Sequence, residues 1–145
     1  MTARKGYTLI EILIVIALFS ILLSLALPNL NFYLNFMERQ EMEEFRNDLL
    51  YARNMAILEN RYYIVYFFQD LNSYMIKTGE HSPAIKNKTF NNGLRLSKNS
   101  TTTNFTFTST GAPANSGTVY IVNRKGRRYR VTLSPATGRI EVKLE

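Results

Sequence analysis

Cysteine is absent from the 145 residues. No disulfide can staple the chain, so its stability must come from packing. Histidine occurs once, as His81, in a polar stretch. With no thiol and one imidazole there is no donor set for zinc, and His81 reads as a solvated surface residue. The chain shows no nucleophile–base pair, no phosphate-cradling glycine loop and no cluster of metal-ligand residues. Gly79, Gly93, Gly111 and Gly117 each read as turn punctuation. These absences argue against an enzyme and against any resident cofactor or metal. Charge is missing from one long stretch: no acid or base lies between Glu11 and Glu38.

What fills that gap is apolar. From Tyr7 to Leu27 there are 21 residues, about 31 Å as an α-helix, which matches a hydrocarbon core of about 30 Å. Glu11 is the exception, because a carboxylate at bilayer depth costs about 2.5–3.5 kcal/mol. One reading is a secretory signal peptide, with Arg4 and Lys5 as its basic end and Ser24-Leu25-Ala26 as its cleavage site. A second is a plain single-span anchor with its basic end in the cytoplasm. The third starts from Gly6-Tyr7-Thr8-Leu9-Ile10-Glu11, preceded by Arg4-Lys5 and followed by the apolar run. That stretch resembles the prepilin-peptidase site of type IV pilins and pseudopilins. The resemblance implies cleavage after Gly6, methylation of the new N-terminus at Tyr7, and Glu11 as the acid four residues on. Tyr7 departs from the more usual Phe or Met but keeps an aromatic ring, and Pro28 matches a helix-kinking proline of that family.

The residue types suit those roles. Gly6 has no side chain to obstruct a peptidase. The amine of Tyr7 stays cationic after methylation, and a buried carboxylate beside a cation is tolerated where an unpaired one is costly. In the pilin family the partner amine belongs to a neighbouring subunit, so Glu11 would act in filament assembly.

The full chain carries +7, and removal of Arg4 and Lys5 leaves +5. Glu38 to Asn60 holds six acids and three bases, whereas Thr118 to Glu145 holds seven bases and two acids. The chain divides into a leader (residues 1–6), a transmembrane or filament-core helix (7–28), an amphipathic helix (29–60) and a β-rich domain (61–145). In the second helix Phe45, Leu49, Ala52 and Ala56 recur at helical spacing and form a narrow apolar stripe. The acids between them read as a solvated face, and Asn60 as the C-terminal stop.

Beyond it the pattern turns extended. Tyr62–Phe68 and Ser73–Lys77 read as strands around a turn at Asp70-Leu71-Asn72. Thr78–Phe90 reads as loop or irregular edge, Asn91-Asn92-Gly93 as a turn, Lys98–Asn104 as a mobile loop, Phe105–Thr108 as a strand and Gly111–Gly117 as a loop. At the C-terminal end, Tyr129, Val131 and Leu133 share one face and Ile140, Val142 and Leu144 another. A four-residue loop, Pro135-Ala136-Thr137-Gly138, sets Leu133 opposite Ile140 and Val131 opposite Val142, and places Arg130 against Lys143. The preceding hairpin around Lys125-Gly126 stays open: Tyr120/Val122 and Val119/Ile121 would each serve as its inner face.

Leu49 to Asn60, with Ala52-Arg53 and Ala56-Ile57, together with the phenylalanine strand, a Gly-containing loop and a final Thr-Gly-Arg hairpin, resembles the H-type minor pseudopilins, the GspH/FimT family. The resemblance implies an α+β pilin-like fold: a long N-terminal helix whose outer half packs on an antiparallel sheet of five to seven strands. It implies a subunit of a type II secretion pseudopilus or a type IV pilus-like filament that supports protein secretion. The implied partners are the prepilin peptidase and methylase, other pilin or pseudopilin subunits, and the membrane. The implied place is the bacterial inner membrane, as a single pass with the C-terminal domain outside the cytoplasm, and then the filament. One alternative rests on Arg124, Lys125, Arg127, Arg128, Arg130, Arg139 and Lys143. A basic hairpin suits phosphate contact, so these residues could meet DNA in a competence pilus, or they could be a solubilising edge. Tyr120 and Tyr129 beside them read as core packing.

Overall fold

The computed structural model describes residues 6–26, 30–135 and 137–145. The chain divides into two compact units, residues 1–36 and 37–145. The first contains helix α1 (Leu9–Ala26). Its described side chains are exposed all round, and Ser20 turns its hydroxyl back onto the Ile16 carbonyl at 2.8 Å, which hides one polar group on an apolar helix. At 18 residues α1 is about 27 Å long. Among the described residues no helix is long and apolar enough to cross a membrane. The expected span includes Leu27 and Pro28, and the expected kink is at Pro28; both lie outside the described residues, as do Arg4 and Lys5.

Helix α2 (Leu30–Leu58) carries the second unit's helical face. The predicted stripe is its buried side: Phe45, Leu49, Ala52 and Ala56 are fully buried, with Met42 beside them. Just past its end, Asn60 closes the helix with a left-handed φ of 50°. Arg61 N–H reaches back to the Ala56 carbonyl and Asn60 N–H to that of Ile57, the paired bonds of a Schellman cap.

Eight described strands follow: β1 (Tyr63–Phe68), β2 (Ser73–Lys77), β3 (Lys86–Thr89), β4 (Arg95–Leu96), β5 (Asn104–Phe107), β6 (Gly117–Val122), β7 (Arg128–Leu133) and β8 (Ile140–Leu144). They form two antiparallel sheets, β3-β2-β1-β5 and β4-β6-β7-β8, rather than the single sheet of five to seven strands expected. Alternation sets the first sheet's inner face: Val65 lies between Ile76 and Phe105, and Phe67 opposite Tyr74, all buried. Phe45 enters this face and meets the rings of Tyr74, Phe90 and Phe67 edge-on at 5.0, 5.5 and 6.1 Å, the geometry aromatic quadrupoles favour. In the second sheet Val119, Ile121, Val131 and Leu133 are fully buried and complete the same core.

The C-terminal hairpin has the expected register: Leu133 opposite Ile140, Val131 opposite Val142, Thr132 opposite Glu141 and Arg130 opposite Lys143. Ala136 of its loop lies outside the described residues. The open hairpin is settled with Val119 and Ile121 inward. Its turn is tied by Asn123, whose Oδ1 accepts from the N–H groups of Lys125 and Arg127, and by Gly126 at φ 75°.

Thr78–Phe90, expected as loop or irregular edge, holds the edge strand β3, which pairs with β2 from Ser73–Thr89 to Ile76–Lys86. Two further expectations are corrected. Lys98–Asn104 is stitched to both sheets: Phe67 N–H donates to the Thr103 carbonyl, and Thr101 N–H to that of Thr118. The acids of α2 are only in part a solvated face: Glu43 and Glu44 are exposed, but the others are engaged. Glu38 and Asp48 are buried, Glu41 accepts the N–H groups of Asn91 and Asn92, and Glu44 holds Lys88 at 2.6 Å.

Candidate functional site

The start of α1 is built from the motif itself. Thr8 accepts the Glu11 N–H on its hydroxyl at 3.4 Å, and Glu11 accepts the Thr8 N–H on one carboxylate oxygen at 3.3 Å. This is a reciprocal capping box, three residues apart, which satisfies two donors that a helix start leaves open. A carboxylate in the first turn also faces the positive end of the helix dipole. Ahead of the cap, Gly6 has no atom near the position a Cβ would take, and Tyr7 is 83% exposed. The bond between Gly6 and Tyr7 is therefore presented on an open segment next to a capped helix. Spacing alone did not show that Thr8 is the partner of Glu11.

The C-terminal cations were expected as one surface, and the structure divides them. Arg124 turns back to α2 and donates from Nε to Glu38 at 2.6 Å. Gly93 makes room for it, since a Cβ there would lie 2.5 Å from the Arg124 Cγ. Arg128 and Arg130 both reach Glu145, at 3.1 and 2.7 Å, and Lys143 pairs with Glu141 at 3.0 Å, which holds that carboxyl below its ordinary range. The repulsion between opposed Arg130 and Lys143 is thus relieved by carboxylates of the same hairpin. Among the described residues Lys125, Arg127 and Arg139 have no carboxylate partner. Tyr120 was expected in the core. It lies half-buried instead, with the Arg128 guanidinium 4.8 Å above its ring, while Tyr129 packs on the core as expected.

Sequence reading missed the polar ties that fix this unit. Asp48 accepts from the Tyr74 hydroxyl at 2.6 Å and from Lys86 at 2.5 Å; burial first, and then the carboxylate, push the Tyr74 phenol upward. Asn72, at φ 49°, donates to the carbonyls of Phe90 and Leu94 and accepts the Leu96 N–H, joining the two sheets. Arg53 of α2 donates to the carbonyls of Gly111 and Thr137 at 3.1 and 3.2 Å. Gly138 packs so closely on Gly111 that a Cβ would lie 2.5 Å from its carbonyl oxygen. Ala52-Arg53, the glycine loop and the Thr-Gly-Arg hairpin, three separate sequence signals, thus meet at one place.

Two family comparisons bear on the two halves of this description. The family described as prokaryotic N-terminal methylation motif matches residues 1–27, and that described as type II transport protein GspH matches residues 41–137. The chain belongs to the GspH family. It is a type IV pilin-like, GspH-type minor pseudopilin, and no curated protein matches it. Among solved structures it is similar to the type IV minor pilin FimU of Pseudomonas aeruginosa, at 22% identity and a TM-score of 0.61, over 74% of this chain and 92% of that one. It is also similar to EpsH of Vibrio cholerae, a minor pseudopilin from the Type 2 Secretion System, at 17% identity and a TM-score of 0.53, over 70% and 91%. At these identities the likeness shows the fold, which is α+β with a helix on antiparallel sheets. The GspH family and this fold are those of structural pilin subunits, and the N-terminal motif fits membrane anchoring.

Proposed function

We propose that the chain is inserted in the bacterial inner membrane as a single pass with its C-terminal domain outside the cytoplasm. A prepilin peptidase cuts after Gly6, and Tyr7 is then N-methylated. The product joins other pilin or pseudopilin subunits in a type II secretion pseudopilus or a type IV pilus-like filament that supports protein secretion. It acts as an assembly component and not as an enzyme. The observation that carries this reading is α1: an apolar helix exposed all round, with one carboxylate at its capped start. An apolar surface of that extent needs lipid or like helices to cover it. Glu11 then has a use that lipid alone does not supply, since the methylated amine of a neighbouring subunit can pair with it. One of its oxygens bonds Thr8 within the chain, and the pairing with an amine would be the stronger, charge-assisted bond.

The competence-pilus reading, with Arg124, Lys125, Arg127, Arg128, Arg130, Arg139 and Lys143 on DNA, has less support, because Arg124, Arg128, Arg130 and Lys143 already hold carboxylates. Glu11→Ala tests the filament reading. Cleavage after Gly6 should persist, while recovery of the protein in sheared filaments falls; normal incorporation would contradict the pairing.

A further inference from the structure

Two open sheets have four edges, and three of them are managed. The β5 edge is covered by its own loop, where Thr108 N–H bonds the Ala112 carbonyl and Ala114 N–H that of Thr106. The β4 edge is two residues long, and Asn72 takes its Leu96 N–H. The β3 edge is four residues long and carries Lys86 and Lys88, held by α2 carboxylates. Such devices keep strand edges from pairing with other chains. Among the described residues nothing covers β8. Its bonds to β7 run through the odd positions, as in Ser134 N–H to the Arg139 carbonyl and the exchange between Arg128 and Glu145. The N–H and C=O groups of Ile140, Val142 and Leu144 therefore point away from the sheet. Ile140 and Val142 border a groove of about 730 Å³ shared with Met42 and Tyr129, and Leu144 is 52% exposed.

We propose that this edge pairs antiparallel with β8 of a second copy of the chain, with Val142 on the two-fold axis. In that register Ile140 faces the partner's Leu144, Glu141 faces the partner's Lys143, and Arg139 faces the partner's Glu145. The inner pairs are all apolar and the outer pairs all of opposite charge, which is the arrangement that stabilises neighbouring strands. A slip of two residues sets Glu141 against the partner's Glu141, or Lys143 against the partner's Lys143. A slip of one residue sets apolar side chains against charged ones. Glu145 is already engaged with Arg128 and Arg130, so the central Glu141–Lys143 pairs, exchanged from within one chain to between two, set the register. About six backbone hydrogen bonds would form across three residue pairs. The interface is small, so the dimer is concentration-dependent. The pairing needs neither cleavage at Gly6 nor the Glu11 carboxylate, and its failure would leave the filament reading intact.

The chain has no cysteine, so single-cysteine variants of the full chain in lipid nanodiscs report the register directly. Glu141→Cys mixed with Lys143→Cys should form a disulfide-linked pair at least about tenfold faster than either variant alone. Directly opposed positions meet disulfide geometry, whereas positions offset by two residues lie roughly 7–8 Å apart. In sedimentation of the cysteine-free chain in detergent, Glu141→Lys and Lys143→Glu should each abolish the concentration-dependent dimer, and the double swap should restore it. Equal cross-linking in all three samples, no cross-linking, failure of the double swap, or cross-linking only to a different protein in membrane extracts would overturn the proposal.

Discussion

Glu38 is buried and Arg128 is exposed, so their ion pairs differ in worth. Removing the Arg124 guanidinium strands Glu38, which is 4% exposed, without its counter-ion. An unpaired buried carboxylate costs several kcal/mol. Arg124→Ala should therefore lower unfolding free energy by about 3 kcal/mol in denaturant titration, toward the lower end because Arg124 itself is partly exposed. Arg128→Ala removes a surface pair with Glu145 and should cost less than about 1 kcal/mol. Equal costs would show that Glu38 is solvated in the folded chain. Tyr63 gives a pH signature. Its ring is buried, and its hydroxyl donates to Glu59 at 2.9 Å; burial and then the carboxylate push the phenol up to about 12. A raised value means that the folded state holds the proton longer than the unfolded chain. The stability so gained is full below about pH 10 and is lost as pH rises towards 12. Tyr63→Phe should flatten that part of the alkaline stability curve, and an unchanged slope would contradict the assignment.

Among the elements, the glycine contact between two loops is the clearest place to test packing against conformation. Gly138 and Gly126 both have positive φ, at 62° and 75°. Only Gly138 would drive a Cβ into another backbone, that of Gly111, while Gly126 opens onto free space. Gly126→Ala should cost about 1–2 kcal/mol for the left-handed backbone, and Gly138→Ala clearly more, both read by thermal unfolding; equal losses would remove the close approach from the account. The same scale shows what sequence could reveal. The β7–β8 register was legible because both strands alternate on one face only and one loop length brings the faces together. The β6–β7 register was not, because Val119, Tyr120, Ile121 and Val122 are apolar or aromatic on both faces, and the Asn123–Gly126 turn decides it. Strand β3, Lys86–Thr89, was read as loop or irregular edge because Lys-Asn-Lys-Thr has no apolar alternation. Its lysines are held by Glu44 and Asp48 of α2, and no local pattern encodes a tie between residues about 40 positions apart. That tie also explains why Glu44 and Asp48 looked solvated in sequence and are engaged in the fold.

At the scale of the whole molecule, the chain joins a globular unit that satisfies its own buried polar groups to an apolar helix that does not cover its own surface. Among the described residues no buried side-chain nitrogen or oxygen lacks a hydrogen-bond partner, so the second unit asks for nothing to complete its interior. The first unit is the opposite. The described apolar side chains of α1 are exposed, and its start combines an open Gly6–Tyr7 segment with the Thr8–Glu11 cap. Processing at that segment is tested by intact mass and N-terminal analysis of the protein expressed with and without a prepilin peptidase. Co-expression should yield a chain beginning at N-methylated Tyr7, and the chain made without the peptidase should keep Met1–Gly6. A product beginning at Leu27 would mark a cleaved secretory signal, and the filament reading would fall.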